Sequence, residues 1–269
     1  MLKKIRIALA TLCLVGFLLL FFVPGAPDVF PGLELLAKVQ LIPAVLSGSI
    51  VVVVVLMLVT LIFGRMYCSV LCPLGLLQDI LALAAPVRRF RFRPAARRFR
   101  AAVLFLFIVA MAAGLPVLFS LVEPYSIFGR IVANIIAAGH AFWGVVSGSD
   151  VSLAWTTGTI PMVTALVLFA IIALMTLRHG RLWCNTACPV GAFLGWLSQF
   201  ALFRIHIDKA DCAGCGLCEK TCKSSCLDSS ARKVDASRCV ACFNCISVCR
   251  HQAITFNLSH KKFWHGRQD

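Results

Sequence analysis

Eight cysteines near the C-terminal end of the chain stand at a spacing that few chemistries need. Cys212-x2-Cys215-x2-Cys218-x3-Cys222 is followed by Cys239-x2-Cys242-x2-Cys245-x3-Cys249. This is the bacterial 4Fe–4S run, doubled, in which the fourth cysteine of each run serves the other cluster. Cys212, Cys215, Cys218 and Cys249 are therefore expected to ligate one cluster, and Cys239, Cys242, Cys245 and Cys222 the other. A single C-x2-C pair would suit zinc as well, but two complete runs favour cubanes over zinc or a disulfide framework. Gly214 and Gly216 let the backbone close around an inorganic core. Ile205, Ile207, Val240, Ile246, Ile254 and Phe256 are available as an apolar shell. Pro usually follows the fourth cysteine, whereas here Lys223 and Arg250 do, as surface charge or as cations favouring reduced clusters. Cys226 has no slot in the pattern and reads as a small buried hydrophobe.

Four more cysteines belong to an internal repeat. Gly64-Arg65-Met66-Tyr67-Cys68-Ser69-Val70-Leu71-Cys72-Pro73-Leu74-Gly75 reappears as Gly180-Arg181-Leu182-Trp183-Cys184-Asn185-Thr186-Ala187-Cys188-Pro189-Val190-Gly191. Cysteines four apart share a helical face. Pro73 and Pro189 disfavour helix at the preceding cysteine and suit the first turn of a new helix. Cys72 and Cys188 are thus placed at helix starts, where the dipole favours thiolate, and Arg65 and Arg181 add positive charge. Three readings follow for Cys68, Cys72, Cys184 and Cys188: a four-thiolate metal or third cluster site, a redox-active thiol set, or a structural break where helices turn.

The elements that position these residues are set by an apolar excess. The chain has 269 residues, 60% of them hydrophobic and 14% charged, with a net charge of +15 and a mean hydropathy of +0.92. Soluble domains carry about a quarter charged residues, so the composition indicates an integral membrane protein. Four stretches are expected to span a bilayer: Ile5–Val23, Ala44–Phe63, Ala101–Val122 and Thr159–Leu177. Their interiors lack ionisable groups apart from Arg6 at the start of the first, which argues against a proton relay. Cys13 in the first span reads as core filling.

Lys3, Lys4, Arg6, Arg65, the run Arg88-Arg89-Phe90-Arg91-Phe92-Arg93, Arg97, Arg98, Arg100, Arg178 and Arg181 fall on one predicted side. By the positive-inside rule both termini and the cysteine motifs are cytoplasmic. The charge of +15 then needs no nucleic acid. The Arg/Phe run reads as a lipid-interface segment. A repeat unit of two spans plus one motif requires the first span to be retained rather than cleaved as a signal peptide. The expected fold is an all-α transmembrane domain of four helices in two tandem parallel repeats over 1–200. A small α+β ferredoxin module with two 4Fe–4S clusters follows over 201–258, then a basic tail over 259–269.

Four spans, two G-R-x-[YW]-C-x3-C-P motifs and a double-cubane module resemble the NapH-type membrane ferredoxins, which are quinol dehydrogenase subunits. The membrane parts of NosR and CcoG proteins share these elements. The resemblance runs from about Lys3 to Phe256. It implies a multi-pass protein of the bacterial cytoplasmic membrane with cytoplasmic clusters, exchanging electrons between quinol and a partner redox protein of ferredoxin or cytochrome type. Gln78, Asp79, Arg65 and Tyr67 beside the first motif are candidate quinone anchors, with Gln78 and Asp79 equally readable as helix-surface residues. The segment Glu123–Thr157, with Tyr125, His140, Phe142 and Trp143, reads as an outer-interface stretch. A second function class is an assembly factor whose clusters keep a metal or thiol centre reduced, with Cu(I) on the four motif thiolates.

Overall fold

The computed structural model describes residues 1–23, 29–30, 32–84, 90–115, 120–147 and 159–258. Arg88, Arg89, the Pro24–Asp28 stretch after the first span, Asp150, Thr157 and the basic tail 259–269 lie outside the described residues. So does the side chain of Trp143.

The first half contains α1 (Leu2–Phe22), α2 (Ile50–Phe63), the short α3 (Tyr67–Val70) and α4 (Pro73–Ala84). The second contains α5 (Arg97–Ala112), α6 (Pro124–Ser147), α7 (Thr159–His179), the short α8 (Leu182–Thr186) and α9 (Pro189–Leu197). The two post-motif helices are placed in equivalent ways. Helix α4 packs on α1 of its own half and on α7 of the other; α9 packs on α5 of its own half and on α2 of the other. Each motif is therefore enclosed by elements from both copies of the repeat.

Helices α1 and α7, each 21 residues, are the two among the described residues long and apolar enough to cross a membrane. The expected second span is divided. A short helix, Leu41–Leu46, ends at Gly48 with φ +69°, and α2 then runs for 14 residues. At 1.5 Å per residue α2 covers about 21 Å, short of a hydrocarbon core of about 30 Å. Helix α5 has 16 described residues. Apolar content marked these segments, but the Ser47-Gly48-Ser49 turn, not hydropathy, sets where α2 starts.

Helix α6 is packed more deeply than an interfacial helix would be. The stretch read as an outer-interface segment is a 24-residue helix opened by Glu123, whose carboxylate accepts hydrogen bonds from the backbone N–H groups of Tyr125 and Ser126. Ile127, Ile131 and Phe128, Val132, Ile136 recur at four-residue spacing and are buried. They pack on α1, α4 and α7, with Phe17 and Phe21 of α1 against Tyr125 and Phe128. The period is helical, but Arg130 and His140 interrupt the apolar run, so no span-length stretch stood out. Cys13 packs at the edge of this aromatic cluster, as core filling requires.

Beyond Ala201 two antiparallel strand pairs frame the cysteine loops. Strand β1 (Phe203–Ile207) pairs with β4 (Ile254–Leu258), placing Ile205 opposite Phe256, and β2 (Leu227–Asp228) pairs with β3 (Lys233–Val234). One-turn helices α10 (Leu217–Lys220) and α11 (Asn244–Val248) separate the third and fourth cysteine of each run. Ile205, Leu227 and Ile254 form the module's core, with Ile207, Ile246 and Phe256 against it. Val240 lines the cavity of Cys222, Cys239, Cys242 and Cys245 and also joins Cys242 in the core of the helical half.

Candidate iron–sulfur and thiolate sites

In the ferredoxin module Gly214 and Gly216 take φ values of +67° and +70°, the left-handed turns that L residues rarely adopt. They fold Cys212, Cys215 and Cys218 into neighbours. Cys218 and Cys249 share the module's core. The second set is tighter: Cys222, Cys239, Cys242 and Cys245 line one cavity, and Cys245 has the other three as neighbours. A fifth thiol enters that cavity. Cys226 is buried, with its Sγ 3.6 Å from that of Cys222 and Cys239 as its second thiol partner. The spacing rule had no place for it, because proximity depends on the turn Ser224-Ser225, where Ser225 adopts φ +49°. Cys222→Ser is expected to retain iron with an altered EPR line shape, because a thiol remains in the cavity. Cys222→Ser/Cys226→Ser is expected to lose about four irons, one cubane, by iron quantitation.

The two cysteine–proline motifs converge. Cys68, Cys72, Cys184 and Cys188 are each 2–3% exposed, and Cys72 has Cys184, Cys68 and Cys188 as titratable neighbours. Local geometry follows the expected proline logic. Pro73 and Pro189 open α4 and α9, and Cys188 is the N-cap, its Sγ accepting from the Gly191 N–H at 3.4 Å. The Gly75 N–H faces the Cys72 sulfur in the same way.

The arginines cross between copies. Arg65 of the first motif donates to the Cys184 carbonyl at 3.0 Å and to Asn185 Oδ1 at 2.8 Å. Arg181 of the second donates to the Cys68 carbonyl at 2.6 Å. Both guanidinium groups are almost fully enclosed. Arg181 also pairs with Asp79 at 2.9 Å; Asp79 further pairs with Arg6 at 3.0 Å and Lys223 at 3.3 Å. Burial alone would raise the Asp79 pKa, but Arg181, Lys223 and Arg6 together hold it below the usual carboxylate range, so it is ionised at neutral pH.

Of the four candidate quinone anchors, Gln78, Arg65 and Tyr67 are enclosed. Gln78 Oε1 accepts from the Cys184 thiol at 3.1 Å, and the Tyr67 hydroxyl donates to Gln40 Oε1 at 2.7 Å. Asp79 alone of the four lines a groove, about 260 Å³, between α1 and α4. Lys3, Arg6, Thr11, Lys223 and Asn244 form its polar wall, and Ile7, Ala10, Leu14, Leu76, Ile80 and Leu83 its apolar wall.

The module sits directly on the motif face. Lys223 accepts the Arg181 N–H at 2.8 Å, Ser224 accepts from Asn185 Nδ2 at 3.0 Å, and the Ser237 carbonyl accepts from Arg65 at 3.2 Å and Arg100 at 3.3 Å. Gly180, at φ +67°, permits this approach, because a Cβ there would overlap the Lys223 carbonyl. The Arg/Phe run has a contact its sequence did not announce. Its described part, Phe90–Arg93, lies against the module. Phe90 and Arg93 N–H groups donate to Lys220 and Ser225 carbonyls at 3.1 and 3.2 Å. Phe92 N–H donates to Glu219 Oε1 at 2.9 Å, and the Arg238 guanidinium lies 5.4 Å from the Phe92 ring centre. Backbone edges bind here, and side-chain polarity does not reveal them.

The family model described as "4Fe-4S binding domain" matches residues 46–93 and 161–209, the two segments that carry the cysteine–proline motifs. The ferredoxin-type protein NapH of Escherichia coli is 26% identical over 221 residues, 78% of this chain and 67% of NapH. The methylamine utilization ferredoxin-type protein MauN of Paracoccus denitrificans is 29% identical over 164 residues, 60% of this chain and 49% of MauN. Protein MJ0749 of Methanocaldococcus jannaschii is 24% identical, covering 78% of this chain and 71% of MJ0749. No solved structure matches.

Proposed function

The chain belongs to the NapH-like ferredoxin-type family of iron–sulfur electron-transfer proteins, and from that premise we propose that it is a multi-pass protein of the bacterial cytoplasmic membrane linking quinol to a partner redox protein. The observation that carries the reading is the docking of the Cys222/Cys239/Cys242/Cys245 cavity onto the helical half through Lys223, Ser224 and Ser237. A redox module fixed by buried hydrogen bonds to apolar helices is built to exchange electrons at the membrane. In this reading the helical half inserts as two tandem repeats, with α1 and α7 spanning, the shorter α2 and α5 completing each pair, and the motifs and the module on the cytoplasmic side.

The donor set fits two 4Fe–4S clusters. Cys212, Cys215, Cys218 and Cys249 hold the first; Cys239, Cys242, Cys245 and Cys222 hold the second. When bound, the clusters supply one-electron redox chemistry. The chain's own residues supply placement. The groove between α1 and α4 has the character quinol requires: an apolar wall for the tail and a polar end for the head. Arg6 and Lys223 at that end carry positive charge, which favours loss of quinol protons. Lys223 directly follows Cys222, so the polar end lies beside a ligand of the second cluster. The partner redox protein is of ferredoxin or cytochrome type.

The test is anaerobic mixing of the purified full chain with a soluble menaquinol analogue, followed by visible absorbance. Bleaching of the iron–sulfur absorbance is expected, slowed at least tenfold in Lys223→Glu/Arg6→Gln. Clusters that stay oxidised with every quinol tried overturn the quinol role.

A further inference from the structure

The Cys226 thiol is left over once the eight ferredoxin ligands are assigned, yet it lies among four of them. We propose that the turn Ser224-Ser225-Cys226 tunes the second cluster: the Cys226 thiol and the Ser224 hydroxyl donate hydrogen bonds to its sulfurs and raise its reduction potential. The inference rests on the two-cluster assignment above, and its link to quinol rests on the preceding reading.

Two independent observations place donors there. Cys226 is 1% exposed, and its Sγ stands 3.6 Å from that of Cys222. Either of two thiols could donate, but a cysteine that ligates metal is a thiolate. With Cys222 as ligand, Cys226 holds the proton. Ser224 is 4% exposed and lines the same cavity as Cys222, Cys239, Cys242 and Cys245. Its Oγ is buried without a partner among the described residues. A buried donor left unmade costs free energy, and cluster sulfur is the acceptor that this cavity offers.

The backbone explains why these side chains face inward. Four consecutive carbonyls are bound from outside the turn. Lys223 accepts the Arg181 N–H at 2.8 Å, Ser224 the Asn185 Nδ2 at 3.0 Å, Ser225 the Arg93 N–H at 3.2 Å and Cys226 the Asp235 N–H at 2.8 Å. Three of those donors lie outside the module, so docking on the helical half itself fixes the turn. Lys223 points elsewhere, its Nζ 3.3 Å from Asp79. In the first set, by contrast, the Cys218 sulfur takes its hydrogen bonds from backbone N–H groups.

Reduction adds one negative charge to a cubane, and hydrogen bonds to its sulfurs stabilise that charge. Donors at the second cluster therefore raise its potential. Quinols are mild reductants, so a cluster that takes their electrons must lie above the low end of the ferredoxin range.

The experiment is an EPR-monitored redox titration of the anaerobically purified full chain, with iron quantitation on every sample. The second cluster is the signal missing from Cys222→Ser/Cys226→Ser. Cys226→Ala and Ser224→Ala are each expected to keep the wild-type iron content and lower the midpoint of that signal alone. At a fixed potential the ratio of reduced to oxidised cluster is expected to fall about three- to tenfold, the worth of one hydrogen bond in an equilibrium. Cys226→Ser keeps a donor and is expected to recover most of the shift. Unmoved midpoints in both alanine variants overturn the proposal. An equal shift of every signal does so too, as does loss of one cluster's iron in Cys226→Ala, which makes Cys226 a ligand. If Cys226→Ala does not fold, Ser224→Ala decides. The titration uses dithionite and mediators, not quinol. A lowered midpoint in a chain that no quinol reduces therefore supports the tuning and overturns only the quinol role.

Discussion

Asp79→Asn is expected to lower stability by about 3–5 kcal/mol, the range for removing one partner from a buried charge network. Its carboxylate faces Arg6, Arg181 and Lys223, whose side chains are 6%, 1% and 15% exposed. Neutralising it leaves three cations together with no carboxylate, and asparagine retains the shape, so the loss reports charge rather than volume. The consequence reaches the module. Arg181 is held by Asp79 on one side, and its backbone N–H bonds Lys223 on the other. The variant is expected to melt earlier in detergent and to be cleaved sooner by protease near residue 201. Because the folded pKa of Asp79 is depressed, its contribution is complete above the unfolded carboxyl pKa, about 4. It is lost as pH falls through the lower folded value. The gap between wild type and variant is therefore widest at neutral pH and closes in acid. Lys223→Gln is the milder comparison, since two cations still face Asp79; equal melting temperatures for Asp79→Asn and wild type would refute the network's role.

What the sequence revealed and what it hid divide along a physical line. The repeat frame disclosed the helix starts at Pro73 and Pro189, the capping of α9 by Cys188, and the pairing of the two motifs. All of these follow from local backbone chemistry. The grouping of the ferredoxin-module cysteines was legible for the same reason, since close spacing in the chain keeps Cys212, Cys215 and Cys218 neighbours in the fold. Crossed contacts were not. Nothing in Gly-Arg-x-aromatic-Cys says that Arg65 bonds the Cys184 carbonyl and Arg181 the Cys68 carbonyl. The sequence places each arginine beside its own motif, and only tertiary packing hands it to the other. The docking of the Arg/Phe run on the module was hidden for a related reason. Phe90–Arg93 docks through backbone N–H groups, which every residue but proline has, so its side chains advertised a lipid interface. Cys226 was hidden by the turn that brings it to Cys222, a matter of backbone φ at Ser225. Three of the four candidate quinone anchors are enclosed and only Asp79 faces a groove, because polarity near a motif does not distinguish a residue facing a groove from one consumed inside the site.

Gly191→Ala and Gly75→Ala test the convergence of the repeats at the level of the backbone. At both positions a Cβ would overlap a carbonyl oxygen of the same motif, Cys184 for Gly191 and Cys68 for Gly75. The Cβ at 191 would also stand 2.9 Å from Arg65 Nη2, and that at 75 would stand 3.6 Å from Arg181 Nη1. A flexible side chain could step aside, but a carbonyl in a one-turn helix cannot move without moving its cysteine. Each substitution is expected to cost about 1–3 kcal/mol, the range for overpacking a filled interior. The two together are expected to depart from additivity, since each presses on a carbonyl bonded to an arginine of the other copy, Cys184 to Arg65 and Cys68 to Arg181. The control is Gly139→Ala on α6, where nothing lies within 4 Å of the added Cβ. Alanine there relieves the backbone entropy of a helical glycine and is expected to be neutral or to stabilise by up to about 1 kcal/mol. Opposite signs at Gly191 and Gly139 in thermal melts would mean that close backbone approach, not helix propensity, keeps glycine in the motif. A neutral Gly191→Ala would mean that the Cys184 carbonyl is free to move, and that the enclosure of the four thiols is looser than their burial indicates.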